Sequence, residues 1–202
     1  MRHEIRAALA AAMMALPAIA SAQATGMPSF NAPYRAFSRS EIGLLIEFPG
    51  GSGTAFEGAY RYASGSFDIG LRGGVLAPGG GGNAVLLLGV EGRERVLTHT
   101  QDFPLDGALI LGLGGQFVSG ASALIVPVGL SLGRRVDVQN SAVSIVPYVQ
   151  PTAFLVAGNG SSDVRFALGL GGDFRLSRRF DARLSVGFGD IDGVSFGAVW
   201  VH

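Results

Sequence analysis

No cysteine occurs in the 202 residues, which excludes disulfides, thiolate metal sites and thiol nucleophiles. Lysine is missing as well. Every basic residue is arginine, whose guanidinium is the better partner for carboxylates in a confined polar space. Nor is either charge in excess: 15 basic residues balance 15 acidic ones, leaving no field to attract nucleic acid or anionic substrates. Only three histidines are present, and two of them, His3 and His202, lie at the chain ends, so neither metal binding nor a cofactor is expected. The glycine-rich run Gly79 to Gly82 is not followed by Lys-Ser/Thr and a helix, which removes a phosphate-binding loop. The 32 glycines show no three-residue period, so a collagen helix is excluded. No apolar run reaches the roughly 20 residues that a membrane-spanning helix requires.

What is present begins with a three-part leader. Arg2 and Arg6 give a basic start, Ala7 to Ala20 form an apolar run, and Ala20-Ser-Ala22 or Ala22-Gln-Ala24 offers a small-residue cleavage site. Residues 1–24 are therefore expected to be a cleaved signal peptide. Residues 25–40 do not alternate and contain Pro28 and Pro33; they are expected to form a periplasmic lead-in or to fold into the barrel mouth.

From Val164 onward the chain alternates strictly. Val164, Phe166, Leu168, Leu170, Phe180, Leu184, Val186, Phe188, Phe196 and Trp200 fall on one face; Arg165, Gly169, Gly171, Asp173, Arg175, Asp181, Arg183, Ser185 and Gly187 fall on the other. A period of two means β-strand. A soluble sheet usually meets water with long polar side chains. Small residues around pairable charges instead suit a narrow lumen, with the apolar face in lipid. Between turn clusters the same reading gives strands at 41–48, 54–63, 67–77, 84–97, 105–118, 122–137, 143–157, 164–176, 180–189 and 193–202. The expected fold is all-β: a transmembrane antiparallel up-and-down β-barrel of about ten strands over residues 41–202, with eight as the alternative. Residues 122–132 are apolar on both faces, and Pro147 and Pro151 interrupt 143–157, where a bulge or a protruding strand end is expected. With the N-terminus periplasmic, the longest connection, Thr98 to Pro104, falls on the periplasmic side, where turns are usually short.

The signal peptide, the run Val146-Pro-Tyr-Val149, the hairpin Phe174 to Gly189 with its Leu176-Ser-Arg-Arg179 turn, and the closing strand Val194 to His202 resemble the small bacterial outer-membrane β-barrel family, the porin-like or opacity-protein-like group. The resemblance implies an outer-membrane location, a monomer among outer-membrane lipids and lipopolysaccharide, and a last strand read by the barrel-assembly machinery. Phe196 and Trp200 fit that assembly signal, although the chain ends in His202 rather than Phe.

Candidate lumen-lining residues are Glu57, Arg61, Asp68, Arg72, Glu91, Arg93, Arg95, Arg165, Asp173, Arg175, Asp181 and Arg183, together with Glu41 and Glu47. They would either set the selectivity of a solute path or form a structural salt-bridge core; their near balance of sign favours pairing. Tyr60, Tyr62, Tyr148, Phe188 and Trp200 are the candidate membrane girdle. Catalysis has little to draw on: His99, flanked by Thr98, Thr100 and Asp102, is the histidine of the body. The expected function is a non-enzymatic envelope-structural or small-solute role. The alternatives are a lipid-modifying hydrolase working through His99, or a secreted lipocalin-like binder with Phe166, Leu168, Leu184 and Val186 pointing inward.

Overall fold

The computed structural model describes residues 24–33, 39–51, 53–139, 141, 143–158 and 160–202. The expected signal peptide lies, but for Ala24, outside them. Alternation becomes strand throughout: β1 Glu41–Pro49, β2 Thr54–Ser64, β3 Phe67–Ala77, β4 Val85–Leu97, β5 Asp106–Val118, β6 Ala121–Gly133, the two-residue β7 Val136–Asp137, β8 Ser144–Gly158, β9 Ser161–Arg175, β10 Phe180–Gly189 and β11 Gly193–Val201. Each long strand pairs antiparallel with its neighbour in sequence, β6 pairs with β8, and β1 pairs with β11 from Glu41↔Val201 to Pro49↔Gly193. The sheet thus closes into a ten-stranded barrel with no free edge, and the eight-strand alternative is set aside. Tight hairpins are made where glycine accepts a positive φ, as at Gly65 (64°) between β2 and β3 and Gly120 (80°) between β5 and β6.

The two faces are opposed in polarity, with the apolar one outside. On β1, Ile42, Leu44, Ile46 and Phe48 are exposed, Leu44 to 72%, while Glu41 and Glu47 are buried. Phe166 and Leu168 are exposed and Asp173 is buried on β9, and Ser185 is buried beside them on β10. The lipocalin-like alternative required the opposite sorting and is overturned. A barrel with a hydrocarbon exterior and a charged interior is an outer-membrane-type fold, because only lipid rewards that arrangement.

The middle strands depart from expectation in a small way. Pro147 and Pro151 cause no register shift: β8 pairs with β9 without a break from Ser144↔Arg175 to Gly158↔Ser161. Only the β6–β8 pairs opposite Gln150 and Pro151 are missing, with the same register on either side. The shift occurs instead between Arg95 and Leu97 on β4. The connections after β4 and β6 are the long ones, and both lie at the end of the barrel where β1 starts and β11 stops.

Candidate functional site

Cross-strand register places opposite charges opposite each other inside the barrel. Glu41 faces Arg61 across β1 and β2, Asp68 faces Arg93 across β3 and β4, and on β9 and β10 Arg175 faces Asp181 and Asp173 faces Arg183. The side chains complete these pairs. Arg61 contacts Asp68, Glu91 and Glu41, the last at 3.5 Å. Arg93 Nε lies 3.1 Å from Asp68, and Arg183 bridges Glu41 (2.8 Å) and Asp173 (3.1 Å). Arg72 pairs with Glu57 and, at 3.2 Å, with Glu47, while Arg175 lies 3.9 Å from Asp181. Gly70 makes this possible on β3, since a Cβ there would stand 3.0 Å from the Arg61 guanidinium.

Most predicted lumen residues are buried in this network, whereas Arg95 and Arg165 are exposed. Arg95 is exposed next to the β4 irregularity, and Arg165 is exposed where β9 runs past the rim, paired with Asp163 at 3.4 Å. Both have inward parity, yet the strands outrun the packed interior at those heights. Their absence unbalances the wall: the carboxylates of Glu41, Glu47, Glu57, Asp68, Glu91, Asp173 and Asp181 outnumber the guanidiniums of Arg61, Arg72, Arg93, Arg175 and Arg183. Tyr148 is a second correction. It is 6% exposed and points into the lumen, in phase with Val146 and Gln150, so it is not a girdle residue. Tyr60, Tyr62, Phe188 and Trp200 do face outward, as does Phe196.

Residues 24–33 fill the remaining space. Of the two places expected for residues 25–40, the described part takes the second: it folds into the barrel, and further than its mouth. Ala24, Thr25, Met27, Ser29, Phe30, Asn31 and Ala32 are buried inside the barrel. The segment's side chains carry no charge, and its backbone is held by the wall. Gln116 donates to the Thr25 carbonyl (3.0 Å), Ser185 to that of Pro28 (2.8 Å), Tyr148 to that of Phe30 (2.7 Å), Ser131 to that of Asn31 (2.6 Å) and Arg93 to that of Ala32 (3.3 Å). Arg72 donates to both the carbonyl (3.3 Å) and the hydroxyl of Ser29. In return the Phe30 N–H donates to Ser185 and the Asn31 N–H to Gln150, each at 3.1 Å.

Wall glycines are the seats of this plug. A Cβ on Gly89 would collide with Ala24, and one on Gly169 with the Phe30 ring, which also lies 3.0 Å from the Cβ position of Gly187. Apolar inward residues of β6 and β8 supply the rest: Ile125, Val146 and Phe154 cluster with Phe30 and Ala32. That contact explains why 122–132 is apolar on both faces. The wall is charged where charges meet each other and apolar or glycine where the plug lies. Met27 reaches the far mouth, where it packs with Ala55 and Leu87 and floors a vestibule of about 480 Å³ rimmed by Arg165, Asp190 and Asp192. Below it, the charged network leaves a cavity of about 20 Å³, room for about one water molecule.

His99 sits in the β4–β5 connection. Its Nδ1 lies 2.9 Å from Asp106 Oδ1, which also accepts the His99 backbone N–H at 3.0 Å. The Thr100 hydroxyl accepts the Phe103 N–H (3.1 Å), so these polar groups clasp their own loop. Among the described residues no group of three His, Asp or Glu side chains could hold a metal ion.

No protein-family model matches the chain, and no curated protein matches it. Among solved structures, a de novo designed transmembrane β-barrel is similar over 82% of this chain and 97% of its own, at 13% identity and a TM-score of 0.42. The β-domain of the Bordetella autotransporter BrkA is similar over 81% of this chain and 98% of its own, at 13% identity and a TM-score of 0.47.

Proposed function

We propose that this chain is an integral outer-membrane protein, monomeric and non-enzymatic, whose resting role is structural in the envelope rather than open passage of solutes. One observation carries the reading: the lumen is filled by ion pairs and by residues 24–33, leaving a cavity of about 20 Å³. A solute path needs a continuous polar column, and here that column is occupied. The end bearing Glu41 and Val201 faces the periplasm, and the vestibule above Met27 faces outward. Outer-membrane lipids and lipopolysaccharide cover the apolar exterior, and the barrel-assembly machinery reads Phe196 and Trp200 on the closing strand.

The test combines two measurements. The protein fractionates with the outer membrane and migrates differently on gels before and after boiling. The folded protein inserted in planar bilayers is electrically silent at low voltage. Steady ohmic conductance from the wild type would overturn the closed reading; a soluble protein without a gel shift would overturn the location. As for catalysis, His99→Ala leaves the envelope lipids unchanged, and an altered lipid profile would reinstate the hydrolase.

A further inference from the structure

We propose that residues 24–33 are a gate, and that the barrel conducts small cations when this segment leaves the lumen. The inference rests on the reading of the chain as an outer-membrane barrel and extends it to what the closed lumen is built to do.

Three observations carry it. First, the plug and the wall are chemically separable. The arginines of the wall find their carboxylates on the wall itself, as Arg61 does with Asp68 and Glu91 and Arg183 with Glu41 and Asp173. The side chains of residues 24–33 carry no charge, so their departure breaks none of these ion pairs, which run from wall to wall. Second, the wall holds the plug mainly through side-chain donors to backbone carbonyls, among them Gln116, Ser131, Tyr148 and Ser185. Water accepts from such donors as readily as a carbonyl does. Third, the surface exposed by the plug's departure is lined by glycines such as Gly89 and Gly169, which leave the lumen wide, and among the described residues the buried charge is carboxylate in excess. An acidic constriction favours cations over anions.

The experiment fills the seats of the plug while leaving the plug sequence and the ion pairs alone. Gly89→Ser with Gly169→Ser, in the full chain, puts a Cβ where Ala24 and the Phe30 ring now sit. Neither glycine has a positive φ, so both positions accept serine in a strand. A gel shift on boiling first establishes that the variant is a folded barrel, which separates failure of the barrel reading from failure of the gate. In planar bilayers with a potassium chloride gradient, the variant shows discrete conductance at least tenfold above the wild-type background. Its reversal potential moves toward that of potassium. A folded variant that stays silent, or one that reverses toward the chloride potential, overturns the proposal.

A second variant covers the case in which the first does not fold. Phe30→Cys with Gly169→Cys ties plug to wall in a chain with no other cysteine. Openings driven by high voltage are then absent in the oxidised protein and return on reduction. Identical records before and after reduction overturn the gate.

Discussion

Replacing Leu44 by arginine distinguishes a lipid-facing wall from a water-facing one. β1 has nine residues. At about 3.3 Å of rise each and a tilt near 45°, it spans roughly 20 Å of an apolar band about 25 Å tall. Leu44 lies beside the middle of that strand, opposite Ala198 on one side and Gly58 on the other, and is 72% exposed. Near the bilayer midplane an arginine on the lipid face costs ~2–4 kcal/mol. The same change on a water-exposed strand surface would fall within about 0.5 kcal/mol. A matched control is Val136→Arg on β7, which is exposed but belongs to the connection between β6 and β8 and costs about 1 kcal/mol or less. The assay is equilibrium folding from urea into phospholipid vesicles, followed by the fluorescence of the single tryptophan, Trp200. A Leu44→Arg cost equal to that of Val136→Arg, with both below about 1 kcal/mol, would refute the assignment of the apolar face to lipid.

The other predictions concern the interior. Arg61→Leu removes the partner shared by Glu41, Asp68 and Glu91 and is expected to cost about 3–5 kcal/mol in the same assay, whereas Arg165→Leu, at an exposed rim pair, costs about 1 kcal/mol or less. Equal effects would mean that the lumen is hydrated enough to screen its ion pairs. Tyr148→Phe keeps the ring and removes the bond to the Phe30 carbonyl, for a loss of about 1 kcal/mol; the same change at outward Tyr62 is close to neutral. A null result at Tyr148 would place the plug elsewhere. Trp200→Ala slows appearance of the heat-modifiable form in cells while leaving the pre-folded barrel intact, and unchanged kinetics would remove Trp200 from the assembly signal.

The strands were legible because lipid and lumen impose the same two-residue sorting on nearly every element. β10 runs over 180–189 as its alternation and turns required, and β9 pairs with it in the register that puts Asp173 against Arg183. Residues 122–157 were harder to read because the inner face there is also apolar. Ile125, Val146 and Phe154 face the plug, so the inward polar residues Ser131, Ser144, Gln150 and Thr152 are interrupted by apolar ones and none of them is charged. Tyr148 was misassigned for the same reason: an aromatic near a strand end resembles a girdle unless the phase set by Val146 and Gln150 is known. Nothing within residues 24–33 announces a plug, for the segment is short, uncharged and aperiodic. Its signal lay on the facing wall, in glycines at 89 and 169 that neither turn nor bulge required and whose Cβ positions are taken by Ala24 and the Phe30 ring.

Spin labels on single cysteines at positions 42 to 48 test the inside-out arrangement most directly, because the native chain offers no competing thiol. The account predicts that labels at Ile42, Leu44, Ile46 and Phe48 are reached by lipid-soluble oxygen and shielded from a water-soluble nickel chelate. Labels at Gly43, Leu45 and Glu47 are reached poorly by both, because ion pairs and the plug fill the space behind them. Greater access of the chelate than of oxygen at the even positions would contradict it.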